Sequence, residues 1–363
     1  MVILFFIVFV CFFFHIQQLF SSKSGRIFSF IFTVCLFSMV FPGAPDFLRI
    51  FRPTVIVYVS NFFLLWLLSD LVFLVFRLVN RRPLRGKYFR RYLRILAGFG
   101  LVFSTVFFFV GKENNENFRV RHEVYPLFGL QEPLRVLFFS DSHFAAAFEQ
   151  KKLERLIHVM DSVKPDVIFF GGDLADMSDS ALDAEGYAAL FRKIKAPLGF
   201  YGVTGNHEGY LHRRGTDLPA WMRKNGMILL MDSTVCLEQF CVSGRIDSQA
   251  AKQLELPRKP LADFAPGEGD LVLKPWILLD HKPLGITKED SVSRLPDFAF
   301  SGHTHGGQFF PWTLVIGLVW ELPAGFGILS GTPWNVSTGF GSWGPPVRIG
   351  ASTEVLLIDF IPD

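Results

Sequence analysis

The chain has 363 residues, 50% of them hydrophobic, including 43 Phe, and a formal net charge of +3. So apolar a composition exceeds that of a single soluble domain and places part of the chain in a bilayer. The small charge, with its basic residues clustered beside apolar runs, excludes nucleic acid as a partner.

The apolar excess lies before about Gly111. The remainder, roughly 250 residues, is long enough to bury a core of its own. The expected division is a transmembrane region over residues 1–111 and a globular domain over 112–363. Four stretches in the first part read as helical spans: Met1–Phe20, Ile27–Phe41, Thr54–Val79 and Ile95–Val110. Each approaches the roughly 20 apolar residues that a bilayer core demands, the second and fourth at or just below the short limit. Ser60, Asn61 and Asp70 are costly in lipid, so they are expected to face other helices or to mark a span end. The first stretch has a second reading as a signal peptide, although it lacks a charged start and a clear small-residue cleavage site.

The densest basic loop, "NRRPLRGKYFRRYLR" at Asn80–Arg94, lies between the third and fourth stretches. The excess of Lys and Arg keeps such a loop cytoplasmic, so the chain after Lys112 is expected on the extracytoplasmic face of a multi-pass protein of the cell membrane. The loop "SSKSGR" falls inside as well, whereas Arg49 and Arg52 fall outside, against the rule.

In the second part a buried-strand run, "LRVLFFS" at Leu134–Ser140, precedes a helical pattern in which Leu153, Leu156, Ile157 and Met160 recur at three and four. "PDVIFFGGD" then supplies a stop at Pro165 and another buried strand, which completes a β-α-β unit and implies a sheet with helices packed on it. Cys236 and Cys241 flank "LEQF". A two-residue turn at Glu238–Gln239 brings the thiols face to face, as a disulfide suited to the extracytoplasmic side or as two buried free thiols in a strand pair.

Five strand ends carry metal-binding residue types: Asp141 and His143 in "SDSH", Asp173 in "GGDLAD", Asn206 and His207 in "GNHE", His281 in "DHKP", and His303 with His305 in "GHTH". Alone, each has a plainer reading as a surface turn, a glycine turn with a helix cap, or a structural His pair; period two in a strand would point His303 and His305 to one side. Together, at the strand ends where α/β sheets gather ligands, they make a mixed nitrogen and oxygen site suited to Mn, Fe or Zn rather than to Ca or Mg. The count exceeds the needs of one ion and points to two divalent metal ions about 4 Å apart, an arrangement suited to phosphoryl transfer.

The order D-x-H, G-D-x-x-D, G-N-H-E, H and G-H-x-H resembles the calcineurin-like metallophosphoesterases over nearly all of residues 134–363. It is most similar to their membrane-associated branch, whose last motif extends to "GHTHGGQ" and whose end looks like "VSTGFGSWGPPVRIGASTEVLLIDF". The resemblance implies a four-layer α/β/β/α sandwich, here preceded by an all-α transmembrane region of about four helices. It implies that Asp141, His143, Asp173 and His305 hold one ion with Asp173 bridging, and that Asn206, His281 and His303 complete the second. It assigns His207 to the substrate phosphate and leaving-group oxygen, with Asp176 as the carboxylate that orients it. The implied reaction is hydrolysis of phosphate mono- or diesters by a metal-activated hydroxide. Asp280 departs from the pattern, standing where this branch more often has a small residue, and is a competing ligand beside His281.

Gly302, Gly306 and Gly307 are expected to let backbone pass close to metals and substrate. Gln308 reads as a loop-closing hydrogen bond or a substrate contact, and Trp334 and Trp343 as core packing, a pocket rim or an approach to lipid headgroups. Of His158, His212, Arg213 and Arg214, only the run Tyr210–Arg214 follows a motif closely enough to reach a phosphate or headgroup, and the plainer reading is a solvated loop. Asn335-Val336-Ser337 is a glycosylation triplet heading into an apparent strand. A membrane tether raises the local concentration of lipid-linked phosphates, which makes these and membrane lipids the expected partners. Relatives of this fold also hydrolyse UDP-diacylglucosamine, an alternative that needs the cytoplasmic leaflet. Two other readings are a membrane sensor of metal and phospho-ligand with little turnover, and a transporter regulated by the domain.

Overall fold

The computed structural model describes residues 2–20, 22–40, 51–80, 87–145, 150–267, 269 and 274–363. The chain folds as two compact units, Met1–Val110 and Gly111–Asp363.

The first unit contains helices α1 (Val2–Leu19), α2 (Lys23–Val40) and α3 (Arg52–Asn80) and most of α4 (Lys87–Glu116). Phe12, Ile16, Phe37, Val55, Val59 and Trp66 form its core, with Phe12 edge-on to Trp66 at 4.9 Å and to Phe37 at 5.7 Å. Of the polar residues, Asn61 is buried with its Nδ2 unpartnered, and the exposed Asp70 reaches His15 of α1 at 3.0 Å while the His15 ring stacks on Trp66. Two segments are long and apolar enough to cross a membrane, Thr54–Val75 with 22 residues and Phe89–Glu116 with 28; Val8–Leu19 is a shorter apolar helix. The third and fourth expected spans thus have the required length and composition among the described residues. Arg49, Ser21 of the "SSKSGR" loop and residues 81–86 of the basic loop lie outside the described residues.

The second unit is built on two six-stranded sheets. Its strands are β1 (Arg119–Leu127), β2 (Leu134–Phe139), β3 (Val167–Phe170), β4 (Phe200–Gly202), β5 (Ile228–Leu229), β6 (Ser233–Cys236), β7 (Cys241–Gly244), β8 (Trp276–Leu279), β9 (Phe298–Ser301), β10 (Gly325–Leu329), β11 (Thr332–Val336) and β12 (Glu354–Pro362). One sheet runs β1-β12-β2-β3-β4-β5 and the other β10-β11-β9-β8-β7-β6. In the first, β2 to β5 are parallel and β12 is antiparallel to β2; in the second, β7, β8, β9 and β11 are parallel, with antiparallel β6 and β10 at the edges.

The continuous apolar runs read as buried strands because both faces of each are covered. Along β2 and β3, Val136, Phe138, Val167 and Phe169 enter the core shared by the two sheets. The alternate residues Leu137, Phe139, Ile168 and Phe170 enter the layer that helix α5 (Gln150–Val163) covers with Leu153, Leu156, Ile157 and Met160. The second sheet repeats this alternation: Ile277, Leu279, Phe298 and Phe300 face the shared core. Trp276, Leu278, Ala299 and Trp334 face the opposite side, where Leu261 and Phe264 lie over them. This is the layered α/β arrangement expected from the sequence.

Cys236 and Cys241 pair across β6 and β7 and form a disulfide; a hydrogen bond from Leu237 N to Phe240 O at 2.8 Å closes the two-residue turn at Glu238–Gln239. Asn335 is fully buried and its side chain donates to Glu123 Oε2 at 2.7 Å, so the glycosylation triplet is inaccessible in the folded chain.

Phe169 packs in the shared core against the rings of Tyr201, Phe240 and Phe300. Phe169→Ala is expected to destabilise this unit by about 3–5 kcal/mol, read as a lowered urea midpoint with an unchanged slope in the detergent-solubilised chain.

Candidate metal centre

Five parallel strands, β2, β3, β4, β8 and β9, end on the same side, and each is followed within a few residues by a predicted site residue. Asp141 and His143 follow β2, Asp173 follows β3, Asn206 and His207 open a helix after β4, His281 follows β8, and His303 and His305 follow β9. A strand cannot turn its last side chains into one cluster without leaving the extended conformation. Here the turns are made in left-handed backbone: φ is +53° at Asp141, +46° at His143, +58° at Asp173, +69° at His303 and +52° at His305. Non-glycine residues rarely adopt this region, and each instance costs of order 1–3 kcal/mol. Such strain persists where surrounding bonds over-determine it: Asp141 N donates to Gly172 O at 2.8 Å, His143 N to Asp173 O at 3.2 Å, and Gly302 N to His281 O at 3.0 Å.

The side chains gather into Asp141, His143 and His305 on one side and Asp173, His281 and His303 on the other, each group with its ligand atoms within 4.8 Å of one another. A third group, His143, Asp173 and His207, overlaps both. His143 Nε2 faces His305 Nε2 at 3.2 Å, and His281 Nε2 faces His303 Nδ1 at the same separation. Asp173 lies between: its Oδ2 is 3.3 Å from His281 Nε2 and 3.8 Å from His143 Nε2. Asn206 Oδ1 is buried without a hydrogen-bond partner. Converging imidazole nitrogens, a carboxylate shared by two groups and an orphaned amide oxygen are the donor set of divalent transition cations, so the residues present fit such ions.

Several rings are oriented through the nitrogen remote from the cluster, as metal-binding histidines commonly are. His281 Nδ1 donates to Gly171 O at 2.7 Å, and His143 Nδ1 to Asp176 Oδ1 at 3.0 Å, which leaves both Nε2 atoms inward. His207 Nδ1 also reaches Asp176 Oδ1, at 2.6 Å. The electrostatics follow from burial and from these contacts. Burial disfavours the charged His281 ring, but the Asp173 carboxylate outweighs it and pushes the group to about 10. His207 moves to about 9 in the same way, with Asp173 and Asp176 outweighing burial. His303 falls to about 3 through burial and the His281 charge. Burial opposes the charge on Asp173, yet His281 and His207 hold it well below the usual carboxylate range.

Two sequence expectations need correction. β9 ends at Ser301, so His303 and His305 do not share a strand face; they sit in consecutive left-handed turns, and their rings diverge, His303 to His281 and His305 to His143. Asp280 stands in none of the three groups, and its Oδ2 accepts from Arg258 at 3.0 Å. The glycines divide by role: a side chain at Gly302 would overlap Asp141 Oδ2 and Ser140 Oγ, whereas Gly307 abuts the backbone of Trp312 and Thr313 rather than a ligand. Gln308 closes its loop, donating to Trp343 O and Pro345 O and accepting from Trp343 N. Trp334 is core, its Nε1 donating to Ser301 Oγ, and Trp343 is exposed. Tyr210 places its ring 5.4 Å from that of His207, while His158, Arg213 and Arg214 are solvent-exposed.

Two supporting residues have no assignment from the sequence. Glu208 is buried and its carboxylate accepts from Gly205 N, Leu174 N and Asp173 N, tying the β4 helix start to the β3 turn; its place three residues after Gly205 is the spacing of a capping box. Arg348 is fully buried and donates to His305 O and His305 Nδ1, both at 2.8 Å, and to Gly341 O at 2.5 Å.

With this geometry in hand, the kinship of the chain is clear: residues 134–307 match the family model for calcineurin-like phosphoesterases, and this stretch is a calcineurin-like phosphoesterase domain. The chain is 29% identical over 242 residues to a putative metallophosphoesterase of Caenorhabditis elegans, covering 61% of this chain and 47% of that protein. It is 27% identical over 304 residues to an uncharacterized metallophosphoesterase of Campylobacter jejuni, covering 82% and 77%. It is 29% identical over 235 residues to a transmembrane protein with metallophosphoesterase domain of Danio rerio, covering 61% and 52%. The matched region thus spans about half the length of the worm and fish relatives.

Gly302→Ala is expected to displace Asp141 and lower the divalent metal retained by the purified chain, measured by elemental analysis after Mn loading, while the far-ultraviolet circular dichroism stays unchanged.

Proposed function

We propose that residues 112–363 form a phosphoesterase that hydrolyses phosphate mono- or diesters with two divalent cations, Mn, Fe or Zn by donor chemistry. Asp141, His143, Asp173 and His305 would hold one, and Asp173, Asn206, His281 and His303 the other. The observation that carries this reading is the meeting of two Asp/His groups at the Asp173 carboxylate. When bound, such a pair supplies positive charge to phosphoryl oxygens and lowers the pKa of the attacking water.

The remaining work falls to the chain. His207, with Nδ1 held by Asp176, keeps its Nε2 proton for the leaving-group oxygen; the neutral ring left behind retains its Nδ1 proton on Asp176. The hydrogen bond from Nδ1 to the Asp176 carboxylate favours the protonated ring, which is the state a proton donor needs. Asp176 binds His143 as well, so one carboxylate positions both a ligand and the donor.

The substrate class we favour is an amphiphilic, lipid-linked phosphate, supported by the apolar helices that precede the domain and by the transmembrane relatives. The Cys236–Cys241 disulfide, together with the basic loop, supports an extracytoplasmic domain on a multi-pass anchor.

The full chain in detergent, loaded with Mn, is expected to hydrolyse aryl phosphate mono- or diesters. Asp173→Asn should abolish turnover, and Asp176→Asn should lower kcat by roughly 10²–10⁴-fold. Turnover retained in Asp173→Asn would overturn the assignment; stoichiometric metal binding with no turnover on soluble or lipid phosphates would favour the sensor reading.

A further inference from the structure

Between His305 and Arg348 the sequence carries one charged residue, Glu321. The start of that stretch is exposed: Trp312, Leu314, Val315, Leu318 and Val319 present their side chains to solvent, with Leu318 86% and Val319 72% accessible. Scattered apolar residues on a surface are ordinary, but a run of this density on one short segment marks an interaction site. The segment is not a loose loop. Trp312 N donates to Phe309 O at 2.9 Å, Thr304 Oγ1 to Pro323 O at 2.5 Å, and the Trp320 ring lies 5.1 Å from the ring of His303. Its base is therefore fastened to the turn that carries His303 and His305, while its apolar side chains stand outward.

The rest of the chain indicates what covers them. Helix α4 includes a segment long and apolar enough to cross a membrane, and β1 begins at Arg119, directly after α4 ends at Glu116. At roughly 3.5 Å per extended residue, that connection keeps the domain within reach of the bilayer surface. Trp312 and Trp320 bracket the Leu and Val residues, and tryptophan settles at the boundary between headgroups and acyl chains. The bracketed segment is too short to span a bilayer and suits insertion to headgroup depth.

We propose that Trp312–Val319 is a membrane-insertion segment on the rim of the metal centre, which seats the mouth of the site in the lipid interface. The proposal goes beyond the phosphoesterase reading and is tested without turnover. In a Cys11→Ala, Cys35→Ala background, the full chain carrying Leu318→Cys, and separately Val319→Cys, is labelled with an environment-sensitive fluorophore and reconstituted in phosphatidylethanolamine–phosphatidylglycerol vesicles. Ile228→Cys, an exposed apolar site on the edge strand β5, serves as reference. Blue-shifted emission and roughly two-fold or greater excess quenching by spin-labelled lipid chains over the reference are expected for an interfacial segment. Labels as open to iodide as the reference would overturn the proposal. So would labels protected from both quenchers, which would mean that a protein surface or a second copy covers the segment. Metal content equal to that of the unlabelled chain verifies that the centre is intact in each variant.

Discussion

The second unit is organised around the Asp173 carboxylate. One oxygen accepts from His207 N at 2.8 Å, and the other faces His281 and His143. The backbone of the same residue receives His143 N and donates to Glu208. A buried carboxylate is tolerated only where charge and hydrogen bonds compensate it, and His143 after β2, His207 after β4 and His281 after β8 supply that charge.

Much of this was legible in the sequence. Buried strands, the β-α-β unit and the sheet-rich domain followed from apolar runs whose residues alternate between two covered faces. The site residue types were legible because each stands immediately after such a run, where the chain must turn. The directions of the rings were not. Strand periodicity assumes extended backbone, and His303 and His305 are reached only after the backbone has passed into the left-handed region, where alternation no longer orients side chains.

The supporting residues divide along the same line. Glu208 carried a local signal, the spacing of a helix cap, because its partners lie within a few residues or on the adjacent turn. Arg348 carried none, since its meaning depends on a contact with His305 that only the tertiary fold creates. Asp280 shows the converse: a carboxylate beside a presumed ligand looks like a competitor until Arg258, from elsewhere in the chain, is seen to neutralise it. A motif fixes chemistry near itself, and the partners of buried charges are settled by packing.

The strand order carries a consequence for biosynthesis. β1, which follows the apolar helix α4, pairs with β12, and β12 in turn separates it from β2. During translation β1 is made early, but its partner strand Glu354–Pro362 emerges last. At ~5–20 residues per second that wait is on the order of ten seconds or more. Throughout it β1 keeps an unpaired edge, and ribosomes that stall before β12 leave a chain unable to close its first sheet.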